Sequence, residues 1–137
     1  MGVTGKRVLL VEDDRFLRRA CTTGLQQRGF TVLTAGDGEE GLRLARAEAP
    51  DLVLLDLLMP RMSGLELLAM LRAEEATRRI PVVVLSNSSH ERHIAEVTRL
   101  NAEYLVKADL SLKELGDRVA RILEDPALVG QGGGSQG

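Results

Sequence analysis

The sequence predicts a doubly wound α/β domain, and three observations carry that prediction. Short, uniformly apolar runs alternate with longer stretches of helical period along most of the 137 residues. The apolar fraction is 44% while aromatics are only 2%, so Leu, Val and Ala must build the core. That favours helices packed on a sheet over an aromatic-lined platform. Five alternations fit one domain of ordinary size. Strands alternating with helices imply right-handed crossovers and a parallel sheet covered on both faces.

The first strand is Val8-Leu9-Leu10-Val11, preceded by Arg7 and followed by acids. Leu17, Ala20, Cys21, Gly24 and Leu25 then recur at intervals of three and four, which makes 16–28 a helix with one buried face, stopped by Gly29. The second strand runs from Phe30 to Thr34. After Gly36-Asp37-Gly38 comes a helix over 39–49, with Leu42, Ala45 and Ala49 on one face and Pro50 closing it. Leu52-Val53-Leu54-Leu55 is a third strand, apolar throughout as a strand buried on both faces should be. Pro60 and Gly64 break the chain before a helix carrying Leu67, Leu68 and Leu71.

Pro81 opens the fourth strand, Val82-Val83-Val84-Leu85, which runs into the polar loop Ser86-Asn87-Ser88-Ser89. A fourth helix over 90–100 presents Ile94 and Val97, its start delayed by that loop. Tyr104-Leu105-Val106 is the short fifth strand. The last helix, 111–124, carries Leu112, Leu115, Val119, Ile122 and Leu123, and Ser111 with Glu114 has the spacing of a capping box. The expected winding is flavodoxin-like, strand order 2-1-3-4-5, with the switch point between strands one and three. The domain is expected over 5–125. Residues 126–137, rich in Gly, Ser and Gln, have the composition of a disordered tail or linker.

Several function classes are disfavoured at once. A net charge of −2 offers no basic footprint for direct contact with nucleic acid. One cysteine, Cys21, permits neither an internal disulfide nor a cysteine-built zinc site, and its apolar surroundings predict a buried structural thiol. No apolar run reaches the ~18 residues of a membrane span. The opening Met1-Gly2-Val3-Thr4-Gly5 is not a signal peptide. The expectation is a soluble, cytoplasmic chain.

Chemistry should gather beyond the carboxyl ends of the strands. Strand one ends in Glu12-Asp13-Asp14, strand three in Asp56, strand four in Ser86 and strand five in Lys107. Taken singly, each has an ordinary explanation. Acids after a strand often cap the next helix, Asp56 could serve a turn, Ser86 could cap, and a lysine is usually a solvated charge. Four such groups on one sheet edge are harder to dismiss. Crowded carboxylates repel unless protons or a cation join them. A hard divalent ion such as magnesium takes one or two carboxylates, waters and a phosphate oxygen. With magnesium and a lysine charge in place, a carboxylate can accept a phosphoryl group.

In these residues the chain resembles the receiver domains of two-component signalling. The resemblance covers roughly residues 5 to 124. It rests on Val8-Leu9-Leu10-Val11-Glu12-Asp13-Asp14, on Pro50-Asp51-Leu52-Val53-Leu54-Leu55-Asp56, on Met59-Pro60 with Gly64 four residues further, and on Tyr104-Leu105-Val106-Lys107. It implies that Asp56 is the phosphoacceptor and that Glu12 and Asp13 are the acidic pair. Asp13 would ligate Mg2+ directly and Glu12 through water, with the backbone carbonyl of Leu58 as a further ligand. Ser86 matches the hydroxyl switch position, Lys107 the phosphate-pairing lysine and Tyr104 the rotameric aromatic. Asp14, one place past the pair, reads as a helix-opening residue. The implied partners are a histidine kinase or histidine phosphotransfer protein, and a downstream protein that reads the surface around helix four, strand five and helix five. The chain would be a regulatory domain rather than an enzyme, its chemistry confined to its own phosphorylation and dephosphorylation.

Two departures from the pattern stand out. Ala108 follows Lys107 where the family usually has a cis proline; a cis bond without proline costs about 2.5–4 kcal/mol, so trans is expected. Leu58 and Ser88, on the path of a hydrolytic water in this family, are poorly suited to orient it, which predicts slow self-dephosphorylation.

The rival readings fit less well. A haloacid-dehalogenase-like phosphatase needs an acid–base aspartate two residues after its nucleophile, and Leu58 stands there. A flavin or nucleotide module needs glycines or hydroxyls after strand one, where this chain has acids. A degenerate receiver that only binds a partner would not need the complete acceptor set.

Overall fold

The computed structural model describes residues 5–87 and 90–130. Its elements follow the expected alternation: β1 (Arg7–Val11), α1 (Arg15–Gln27), β2 (Thr31–Ala35), α2 (Gly38–Glu48), β3 (Leu52–Asp56), α3 (Gly64–Ala73), β4 (Val82–Ser86), α4 (Glu91–Arg99), β5 (Glu103–Val106) and α5 (Leu112–Glu124). All neighbouring strand pairs are parallel, and the sheet order is β2-β1-β3-β4-β5.

Pleating divides the strand side chains between two cores, because successive residues face opposite sides. Leu9, Val11, Val53, Leu55, Val82 and Val84 pack with Leu42 and Ala45 of α2, Leu67, Leu68 and Leu71 of α3 and Val97 of α4. On the other face, Val8, Leu10, Leu52, Leu54, Val83, Leu85 and Leu105 meet Cys21 and Leu25 of α1 and Leu115, Val119 and Ile122 of α5. Burial on both faces explains why β3 and β4 are apolar at nearly every position. Cys21 is buried as expected, and burial pushes its thiol up to about 11, where it stays protonated.

The helix signals act as read, with additions. Ser111 and Glu114 form the capping box of α5, and Ser63 with Glu66 forms a second one on α3. Asp37 caps α2 by accepting from the Glu40 N–H. Gly29 takes the positive φ of +94° that ends the turn after α1, and the helix before Pro50 closes through Ala49 at φ +44°. No cis peptide occurs among the described residues, so Lys107–Ala108 is trans. Lys107–Asp109 form a 3-10 turn.

The chain stays folded beyond the boundary expected at 125. Pro126–Leu128 form another 3-10 turn, and the Leu128 carbonyl accepts from Arg118 at 2.8 Å. The Gly130 N–H donates to Glu103 at 2.8 Å. Residues 131–137 of the expected tail lie outside the described residues.

Candidate functional site

The carboxyl ends of β1, β3, β4 and β5 bring the charged residues together as the topology requires. Glu12 follows β1 and is 1% exposed, and Asp56 closes β3 at 6%. By pleat parity Asp56 follows Leu52 and Leu54 on the α1/α5 side, Glu12 follows Leu10, and Lys107 follows Leu105. The Lys107 ammonium stands 3.3 Å from an Asp56 oxygen and 3.5 Å from a Glu12 oxygen. Ser86, buried at the end of β4, shares parity with Val82 and Val84 and so belongs to the opposite face. Tyr104 packs on that same face, in register with Val84, two residues before Ser86. Glu12, Asp56 and Lys107 thus enter from one side of the sheet, and Ser86 and Tyr104 from the other.

Local bonds fix the first loop. The Glu12 N–H donates to Ala35 of β2 at 3.0 Å. One Glu12 carboxylate oxygen accepts from the Asp14 N–H at 3.2 Å. Asp14 accepts from the Phe16 and Leu17 N–H groups at 2.9 and 3.1 Å, which makes it the α1 cap that its position suggested. Asp13, between these two anchored acids, is exposed.

The loop after Asp56 is held as closely. The Leu57 N–H donates to Leu85 at 2.9 Å, and the Gly64 N–H donates to Leu57 at 2.8 Å. A Cβ at Gly64 would lie 2.3 Å from the Asp56 carbonyl oxygen, so only glycine lets α3 start this close to the strand end. Arg61, at φ +66°, pairs with Asp37 at 3.1 Å and ties the loop to α2. The Leu58 side chain is 60% exposed. Ser88, the other residue in the expectation about dephosphorylation, lies outside the described residues.

Glu12, Asp13 and Asp56 each offer a carboxylate oxygen, all within 4.8 Å of one another. Burial, and then the neighbouring Asp56 charge, raises Glu12 to about 7, against the lowering influence of the Asp14 N–H and Lys107. One ammonium therefore does not neutralise the acids around it. An oxygen-only donor set with this much uncompensated charge fits a hard divalent cation. Sequence reasoning named every one of these acids. It missed Arg18, whose guanidinium donates to the Glu12 carbonyl at 2.7 Å, because nothing in the pattern separates Arg18 from Arg15 and Arg19 beside it.

Comparison with known proteins agrees with this geometry. The family model described as the response regulator receiver domain matches residues 8–120. The chain is similar to the transcriptional activator protein PfeR of Pseudomonas aeruginosa, 43% identical over 124 residues, covering 90% of this chain and 39% of that protein. It is also 41% identical to the transcriptional regulatory protein PrrA of Mycobacterium tuberculosis over 123 residues, 89% of this chain and 52% of PrrA. The chain thus spans about half the length, or less, of these curated relatives. Among solved structures, the receiver domain of the Francisella response regulator 1452 superposes with a TM-score of 0.81 at 28% identity, covering 89% of this chain and 99% of that one. The chemotaxis protein CheY4 of Vibrio cholerae gives 0.80 at 28% identity, with 87% and 99% covered.

Proposed function

This chain belongs to the response regulator receiver domain family, and from that premise we propose that Asp56 is the carboxylate at which this phosphoacceptor switch is phosphorylated. The observation that carries the assignment is the convergence of Asp56 with Glu12 and Asp13 within 4.8 Å, and of Lys107 at 3.3 Å from Asp56.

Receiver domains bind Mg2+ at an acidic cluster, and here Asp13, Asp56 and the Leu58 carbonyl would hold it directly, with Glu12 acting through water. When bound, the ion supplies charge neutralisation for an incoming phosphoryl dianion. The remaining work falls to the chain itself. An Asp56 oxygen attacks the phosphorus of a phosphohistidine or a small phosphodonor. The P–N or P–O bond to the donor breaks as the aspartyl O–P bond forms, and the leaving group takes up a proton. Lys107 moves from pairing with carboxylates to pairing with a phosphoryl oxygen. The Ser86 hydroxyl donates to another, and Tyr104 repacks on the face it shares with Ser86. The changed surface around α4, β5 and α5 is then what a downstream partner reads.

A histidine kinase or histidine phosphotransfer protein is the proposed donor. The chain acts without direct nucleic-acid contact and in the cytoplasm; among the described residues no helix is long and apolar enough to cross a membrane. Its catalysis is limited to its own phosphotransfer and to a self-dephosphorylation kept slow by Leu58 and Ser88. The test is intact-mass measurement after incubation with a small phosphodonor. One base-labile phosphate should appear with Mg2+ and be absent with a chelator; equal labelling in chelator would overturn the metal requirement.

A further inference from the structure

We propose that Arg18 is a positioning residue for the metal-binding acids, acting through the peptide unit that joins Glu12 to Asp13; this rests on the Mg2+ reading above. The Arg18 guanidinium donates to the Glu12 carbonyl at 2.7 Å, reaching back six residues from α1. That carbonyl belongs to the planar Glu12–Asp13 peptide, which turns as one rigid unit. Its other neighbours are already tied: the Glu12 N–H to β2 at 3.0 Å and the Asp14 carboxylate to the first turn of α1. Without Arg18 that oxygen loses this bond, and Asp13, the exposed member of the acid pair, would lose its fixed direction.

Gly36 gives independent support. A Cβ there would lie 3.2 Å from the Arg18 Nη1, closer than side-chain carbons ordinarily approach. The backbone at Gly36 does not have a positive φ, so glycine is not needed for the turn itself. Its missing side chain leaves the channel through which the guanidinium passes. The Gly36 N–H donates to Glu40 at 2.9 Å, which keeps this backbone in place against α2.

Arg18 has two opposed effects, and they can be separated. As a cation near the acids it should weaken divalent-ion binding; as a strut it should strengthen it. Outer partners that orient metal ligands typically matter by about ten- to a hundredfold in affinity. If the strut dominates, Arg18→Met weakens Mg2+ binding by about tenfold, Arg18→Lys recovers part of the loss, and Gly36→Ala moves affinity in the same direction by less. If charge dominates, Arg18→Met binds Mg2+ more tightly.

The experiment titrates Mg2+ calorimetrically into the whole chain and the three variants, and measures amide exchange of the metal-free proteins. The Asp14 N–H should exchange faster in Arg18→Met, while protection in β3 and β4 is unchanged. Unchanged or tighter Mg2+ binding in Arg18→Met would overturn the proposal. Wild type that binds no Mg2+ while Asp14 exchange still quickens in the variant would instead defeat the metal reading and leave the strut in place. Should Arg18→Met fail to fold, Gly36→Ala and Arg18→Lys decide the matter by the same two measurements.

Discussion

The Lys107 ammonium sits between the Asp56 and Glu12 carboxylates, 3.3 and 3.5 Å away. It holds the place where extra positive charge is needed while remaining only one charge against several. A divalent cation bound here would share these acids with an ammonium already present.

Lys107→Ala removes that competitor. Mg2+ affinity should hold or rise, while phosphorylation no longer propagates to Tyr104. Calorimetric titration checks the first part, and the response of the Tyr104 ring to a phosphodonor, followed by NMR, checks the second. Weaker Mg2+ binding in the variant would show that Lys107 orients the acids rather than opposing the ion.

Glu12 provides a pH signature. Its folded value, about 7, lies above the ordinary 4.5. Between those values the folded state holds a proton that the unfolded state has lost, so metal-free stability should fall as pH rises through this window. Mg2+ competes with the same proton, so its affinity should rise from pH 5.5 to 7.5. In Glu12→Gln both dependences should flatten, as read from thermal melts with and without Mg2+.

Gly64→Ala places a carbon 2.3 Å from the Asp56 carbonyl oxygen and 2.7 Å from the Leu57 Cα. Backbone cannot yield as a flexible side chain can, so the start of α3 must shift. A loss of about 1–3 kcal/mol is expected from overpacking, measured by urea denaturation. A variant as stable as wild type would mean that the loop after Asp56 is softer than its bonds imply.

How much of this was readable in advance depended on the range of the signal. The strands and helices followed from local periodicity, and Leu52–Leu55 or Leu17–Leu25 needed no tertiary knowledge. The convergence at the candidate site was legible because parallel topology places every strand end on one edge, so Glu12, Asp13, Asp56, Ser86 and Lys107 could be named together. Arg18, the Arg61–Asp37 pair and the tightness at Gly64 were not visible as such. Each depends on a distance between segments that periodicity does not encode. The order at 126–130 depends on equally distant residues, Glu103 on β5, which accepts from the Gly130 N–H, and Arg118 on α5, which donates to the Leu128 carbonyl.

That last arrangement has its own test. Glu103 is buried and forms a two-pronged pair with Arg118, one contact being 2.7 Å, and it also accepts from the Gly130 N–H. Glu103→Ala removes the buried carboxylate that accepts from two Arg118 nitrogens and from the Gly130 N–H, and should cost about 3–5 kcal/mol. Exchange of the Gly130 amide should quicken in the same variant. A loss below about 1 kcal/mol, the range of surface pairs, would show that the pair is solvated.

Mapping the acyl phosphate tests the central assignment most directly. The chain is treated with a small phosphodonor and Mg2+, reduced with borohydride to convert any aspartyl phosphate to homoserine, and digested for peptide sequencing by mass spectrometry. Homoserine should appear at position 56, and Asp56→Asn should yield none. Homoserine at position 13 instead, or undiminished labelling of Asp56→Asn, would contradict the assignment of Asp56 as the acceptor.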